Sequence, residues 1–353
     1  MASEQDPTPE NPHRRAPRGV ADLPVREANP TNAPAPAADL AGFKPKRRAS
    51  GENSTPLGHE LERRSPTGNR SARPALTRRL IVNADDFGRS HSINQAVIRA
   101  HREGILTTAS LMVNGDAFDE AVGLAQQNPS LGVGLHLTLV CGRAACGPME
   151  IPDLVDAQGA LSHSPVATGV RFYFNRNLRL QLAREIGAQF ARFKSTGLVL
   201  DHVNGHLNMH LHPTVFSMLA RRRLEWGIRH IRITDDPFML NLQLAGGNWL
   251  YRASHAFIFG QLSRRARRIL DGSGIHFTDR VFGLLQNARV DETFIRKLLP
   301  RLPSGDSELY SHPSLDEFPH EFEALVSPHV KALVQELDIQ LIRYQDLKDP
   351  SPA

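Results

Sequence analysis

Leu80-Ile81-Val82-Asn83-Ala84-Asp85-Asp86-Phe87-Gly88 sets the reading of the whole chain. Apolar residues, two of them β-branched, run into two adjacent carboxylates, and a glycine follows. That pattern is a buried strand ending in a tight turn, with both acids at its C-terminal mouth. In α/β folds, sites are built at such mouths. Neighbouring side chains on a strand point to opposite faces, so two adjacent acids do different jobs unless the strand has turned. Like charges this close repel, and a cation or a shared proton is needed to keep both. A helix N-cap, with Asp leading an amphipathic segment, is the competing reading of the pair.

Outward from this stretch, strands and helices alternate. Strands are expected at about 80–84, 109–113, 131–135, 198–203, 228–233, 307–310 and 339–342. Helices are expected from about Ser92, then at about 118–127, 178–194, 213–226, 291–299 and 328–336. Pro213 and Pro328 each stand where a first helical turn begins. Residues 140–177 show no clear period and read as a long loop or insertion near the site. Residues 255–270 read as a basic amphipathic helix, with Phe257, Ile258, Phe259, Leu262 and Ile269 opposed to Arg264, Arg265, Arg267 and Arg268. Repeated βα units predict an α/β fold, a parallel barrel-like sheet that is irregular or incompletely closed.

The chain has 353 residues, a hydrophobic share of 40% and 25 prolines. About half of those prolines, and only one aromatic, Phe43, fall in residues 1–76, which have the composition of a disordered tail. The ordered domain is expected over 77–349. No run is long and apolar enough for a membrane-spanning helix, and no apolar core of a signal peptide precedes the domain. Cys141 and Cys146 are the only cysteines, and their spacing suits reduced thiols in a cytoplasmic protein. A net charge of +5 is not interleaved with aromatics, so nucleic acid is not expected as a partner. A modest basic excess suits an anionic membrane surface equally well.

Four chemical groups fall at expected strand ends: Asp85-Asp86, His136, the run Asp201 to Pro213 with His202, His206, His210 and His212, and His312. In a parallel barrel these ends converge on one rim. A carboxylate and two imidazoles make a three-ligand set with positions left for water and substrate, as in a catalytic metal site. Not all the histidines can bind one ion, so some orient ligands or face solvent.

The motifs Asn83 to Gly88, Thr107 to Asn114, Gly134-Leu135-His136-Leu137-Thr138, His202 to Pro213 and Glu308 to Pro313, in this order, resemble the YdjC-like carbohydrate deacetylase family, which includes the chitooligosaccharide deacetylases. His202-Val203-Asn204-Gly205-His206 is most similar to the branch called HpnK, associated with hopanoid biosynthesis. The resemblance implies an irregular (βα) barrel of the glycoside hydrolase/deacetylase type with one divalent ion; cysteine-free N/O ligation suits Zn, Mg, Mn, Co or Ni, with magnesium or zinc expected. It implies Asp86, His136 and His206 as metal ligands, Asp85 as general base and His312 as general acid. Asp85 and Asp86 take these roles by resemblance, since spacing alone allows the reverse. Asn204 and Asn208 stand where the family carries an acid and a histidine. His210, Asn204, His202 and Asn114 are expected to contact substrate or to support the ligands. The implied activity is removal of an N-acetyl group from an amino sugar, with N-acetylglucosamine on a hopanoid lipid as the expected substrate. A deacetylase of soluble chitooligosaccharides and a non-catalytic sugar- or lipid-binding barrel are the alternatives. The expected setting is the cytoplasm, with a peripheral contact to the anionic inner membrane and a homodimer as further expected partners.

Overall fold

A computed structural model of the chain describes residues 77–347, apart from Asn248 and Asn287. The tail expected over 1–76 lies outside the described residues. β1 (Arg78–Phe87) is followed by α1 (His91–Glu103), β2 (Thr108–Leu111), α2 (Phe118–Gln126) and β3 (Gly132–Leu137). Two helices, α3 (Pro165–Phe174) and α4 (Leu178–Ser195), lead to β4 (Val203–Gly205). Next come α5 (Pro213–Arg221), α6 (Arg223–Trp226), α7 (Phe238–Leu244) and α8 (Trp249–Leu270). The chain continues through β5 (Arg280–Phe282), α9 (Glu292–Leu298), β6 (Gly305–Ser311), α10 (Pro319–Val326), α11 (Pro328–Glu336) and β7 (Ile339–Leu341).

All strand pairs are parallel, in the order β4-β3-β2-β1-β6-β5, with β7 also on β1. β1 is the hub. One edge pairs with β6 from Arg78 to Ala84, and the other pairs first with β7 and then with β2. Beyond β4 the curl is carried by single bridges, Val203 to Ile231 and His230 to His276. This is the parallel, irregular (βα) half-barrel expected from the alternation of elements.

Side chains on these strands alternate, but both faces are buried. Leu80, Val82, Ala84, Ala109, Leu111, Val133, Leu135, Val203 and Leu309 join the large apolar core beneath the helices. The inward positions of the same strands carry Asn83, Asp85, Ser110, His136, Asn204 and Glu308, all buried. Period-two alternation here separates an apolar shell from a polar interior, rather than a core from solvent.

Several expectations need correction. The stretch 140–177 contains α3, opened by Ser164-Pro165. The fourth strand is only Val203–Gly205, and 228–233 contributes bridges rather than a strand, because the curl is pinned there by few hydrogen bonds. The helix expected over 213–226 breaks at Arg222 into α5 and α6. β5 and α10, which carry weak periodicity, were not foreseen. Phe257 and Ile258 do not oppose the arginines of α8; they share its exposed face with Arg264, Arg265 and Arg268. No helix among the described residues is long and apolar enough to cross a membrane.

Candidate metal and catalytic site

The site begins with a defect in β1. Ala84 pairs with Ala109, but Phe87 pairs with Leu111, so β1 holds one residue more than β2 over this interval. The extra residue is absorbed at Asp86, whose φ is 64°. Such a bulge re-aims side chains. It lets Asp85 and Asp86, adjacent on a strand, both reach the mouth of the barrel. Gly88 completes the turn at φ 92°, where a side chain would press on Leu111 and on Met112 O.

Asp86 Oδ1 lies 2.9 Å from His206 Nδ1 and 3.2 Å from His136 Nε2. One donor atom from each of these residues lies within 4.8 Å of the other two, a group that could hold a metal ion. Burial opposes charge on Asp86, yet the two imidazoles beside it hold its carboxyl well below the usual carboxylate range.

The protonation pattern follows from hydrogen-bond logic. Asn204 Nδ2 donates to Asp85 Oδ1 at 2.9 Å and to Ser110 Oγ at 2.8 Å. Asn204 must therefore turn its Oδ1 toward His136 Nδ1, 2.7 Å away, so Nδ1 carries the proton and donates. His136 Nε2 then faces the Asp86 carboxylate, and a cation, either a proton on Nε2 or a metal ion, lies between them. Two acceptors at 3.2 Å repel unless such a cation joins them, an environment that suits a metal ligand. Two imidazole nitrogens and one carboxylate oxygen suit a divalent transition metal or zinc and leave coordination positions open. Asn204 is also explained: an acid there would place a second carboxylate against Asp85, whereas the amide donates to it.

Asp85 accepts four hydrogen bonds from three side chains. Arg232 donates through both terminal nitrogens, at 2.7 Å to Oδ2 and 3.0 Å to Oδ1. Asn83 and Asn204 add 2.8 and 2.9 Å bonds to Oδ1. Burial raises its pKa, but Arg232 above all, with His136, outweighs it and keeps the carboxyl well below its usual range. Arg232 is itself fully buried, donates to Glu308 Oε1 through Nε and a terminal nitrogen, and lies 4.2 Å above the Tyr310 ring. Tyr344 donates to the other Glu308 oxygen and stacks on His202.

The other expected residues separate into layers. His312 is at the mouth, partly exposed, with its backbone N–H donating to the buried Glu321 at 2.6 Å and its Nδ1 3.9 Å from the same oxygen. His202 lies in the barrel interior, its Nδ1 on Asp201 and its Nε2 on Ser110 Oγ, and is not beside the Asp86 group. A Cβ at Gly134 would collide with the His202 ring at 2.5 Å, so the glycine makes room for it. His210 is fully buried and lies 3.0 Å from Arg232 O; burial and the neighbouring Arg232 charge push its pKa down to about 3, so its ring is neutral. Asn114 sits on the rim and donates to Arg143 O at 2.6 Å. Asn208 accepts from Thr234 Oγ1 at 2.8 Å and lies, like Leu207, in left-handed backbone. Reasoning from the sequence missed Arg232 and Glu321. For Arg232 a signal existed, a charge set between Ile231 and Ile233 in a stretch, Ile228 to Ile233, that reads as a buried strand. Glu321, on the unforeseen α10, offered none.

The profile of the YdjC-like protein family matches residues 79–336. A carbohydrate deacetylase of Brevibacillus brevis is 38% identical over 150 residues, which cover 42% of this chain and 57% of that protein, so the match spans little over half of that relative's length. A carbohydrate deacetylase of Clostridium beijerinckii is 30% identical over 276 residues, 76% of this chain and 100% of that protein. Among solved structures, a protein of Enterococcus faecalis V583 named for cellobiose-phosphate cleavage superposes with a TM-score of 0.60 at 21% identity, covering 77% of this chain and 100% of that one.

Proposed function

The chain belongs to the YdjC-like protein family, and on that premise we propose that it is a metal-dependent N-deacetylase, hydrolysing the acetamide of an N-acetylated amino sugar to a free amine and acetate. The single observation that carries this is the adjacent pair Asp85-Asp86, bulged so that one acid joins two imidazoles and the other is kept ionised by Arg232. The relatives named as carbohydrate deacetylases support the substrate class. A divalent ion held by Asp86, His136 and His206 would polarise the amide carbonyl and lower the pKa of a water molecule. Two imidazole ligands favour zinc over magnesium.

The remaining work falls to the protein's own groups. Asp85 Oδ1 is saturated by three donors, but Oδ2 accepts only from Arg232 and keeps a lone pair for the proton of the attacking water. Water oxygen bonds to the carbonyl carbon as that proton leaves. His312 then gives a proton to the sugar nitrogen as the C–N bond breaks. Glu321 accepts from the His312 backbone N–H and lies close to its Nδ1, which positions the residue at the mouth. Arg232 fixes the carboxylate plane of Asp85 and keeps it ionised.

We extend the proposal to a lipid-carried substrate, N-acetylglucosamine on a hopanoid, on the strength of the His202-Val203-Asn204-Gly205-His206 pattern. Such a substrate calls for work at the cytoplasmic face of a membrane. Acetate release from N-acetylglucosaminyl lipids and from soluble chitooligosaccharides is the test. Asp85→Asn is expected to keep its metal and lose activity; full activity with metal bound would remove Asp85 as the base. Asp86→Ala, His136→Ala and His206→Ala are each expected to lose the ion, and stoichiometric metal in one of them would strike that residue from the ligand set.

A further inference from the structure

One pocket outside this site, of about 460 Å³, is lined by Arg176, Arg179, Arg221 and Arg265 and by the rings of Tyr173 and Phe174. No carboxylate lines it. None of the four guanidinium groups makes an ion pair or a side-chain hydrogen bond among the described residues. All four side chains are exposed, and their forked donors suit a bidentate anion such as a phosphate. Tyr173 and Phe174 stand on its rim, 55% and 76% exposed.

The neighbouring α8 continues this surface. Its exposed stripe runs through Trp249, Leu250, Phe257, Ile258, Gln261, Arg264, Arg265 and Arg268. The N-terminal part is apolar and the C-terminal part cationic, and Arg265 belongs to both stripe and pocket. Phe257 is 67% exposed and Trp249 64%. A helix that only covered the core would turn these rings inward, yet its buried positions are Arg252, Ser263, Ala266 and Leu270. Exposed aromatic and aliphatic side chains beside unpaired arginines match the two layers of an anionic bilayer surface, acyl boundary and phosphate headgroups.

We propose that the arginine pocket and the exposed stripe of α8 together form a docking surface for an anionic phospholipid bilayer, with a lipid phosphate in the pocket. The surface is joined to the candidate site through the chain around His212. The rings of Phe172 and Tyr173 meet His212 edge-on at 5.9 and 6.4 Å, and His212 ends the short segment that begins with His206. Docking there would hold the barrel mouth near lipid-carried sugars. That consequence rests on the function proposed above, whereas the docking itself does not.

The test is flotation of the full-length protein with phosphatidylcholine vesicles, with and without phosphatidylglycerol, over a salt series. The native protein is expected to float with the anionic vesicles only, and less as salt rises. Changing Arg176, Arg179, Arg221 and Arg265 to Gln together should lower partitioning by at least about tenfold, since one arginine near an anionic surface contributes roughly fivefold. Changing Trp249, Leu250, Phe257 and Ile258 to Ser should leave binding that is weak and easily salted out. Failure of the native protein to float, equal flotation on neutral vesicles, or two variants that float as well as the native protein would each overturn the proposal. So would inorganic phosphate binding to the pocket without any vesicle binding. Acetate release from a soluble N-acetylated glycoside, unchanged in both variants, shows that they fold and separates this test from that of the catalytic reading.

Discussion

Replacing Arg232 by Met removes a guanidinium while keeping an unbranched side chain of similar reach. In the native protein this one cation, fully buried, makes two bonds to Asp85 and two to Glu308, both buried. The variant leaves two carboxylates in the barrel interior with no cation between them. Breaking a buried ion pair by deleting one partner costs roughly 3–5 kcal/mol. At roughly 2–4 °C per kcal/mol for a domain of this size, Tm should fall by roughly 6–20 °C. Glu308→Gln in the same background removes one stranded charge and should recover a substantial part of the loss, so the two changes couple by roughly 2 kcal/mol in a double-mutant cycle. The electrostatic consequence has a definite sign. Burial, no longer opposed by Arg232, raises the Asp85 carboxyl, so its protonation reaches into a less acidic range and the acidic limb of the activity profile moves to higher pH. Urea unfolding and a pH–rate profile measure the two effects. A stability loss below about 1 kcal/mol, with an unshifted acidic limb, would refute the account of Arg232 as the counter-charge of the interior.

Two further predictions concern groups around the site. Asn204→Leu frees His136 Nδ1 and strips a donor from Asp85, so affinity for a divalent ion should fall roughly 10- to 100-fold; calorimetric titration with zinc checks it, and native affinity would refute the tautomer argument. Asp236 is buried, and burial pushes its carboxyl from 3.8 up to about 7 despite bonds from Leu285 N–H and Asn241. In the folded state it holds its proton where the unfolded chain has lost it, so stability should decline as pH rises between those two values and level off above. The decline from this group is at most roughly 4 kcal/mol. Urea unfolding of native protein and Asp236→Asn at about pH 5 and about pH 8 should show a shallower dependence in the variant, and parallel profiles would contradict the assignment.

Much of this was legible because the chemistry sits at element ends. Apolar runs stopping at Asp85-Asp86, at His136 and before His312 mark strands whose mouths carry function, and alternation with helices makes those strands parallel and gathers the mouths. Order and spacing thus marked the four groups from which the proposed metal ligands are drawn, and it was the resemblance to a known family that singled out Asp86, His136 and His206 among them. Weakly periodic stretches were not legible: α3 and α10 were missed, and so was Glu321 with the latter.

Other features exist only once the chain has folded. One extra residue in β1 relative to β2 lets adjacent acids reach one mouth, and a bulge is a property of pairing rather than of either strand. Arg232 reads as a strand charge in sequence, yet becomes the cation of the buried interior because strands distant in the chain bring Asp85 and Glu308 to it. On α8, the pattern of Phe257, Ile258 and the arginines predicted opposite faces, but packing against α5 and α7 decided which face was covered. The sequence determined which residues alternate; only the tertiary structure decided which of two faces meets water, because burial depends on neighbours that periodicity does not encode.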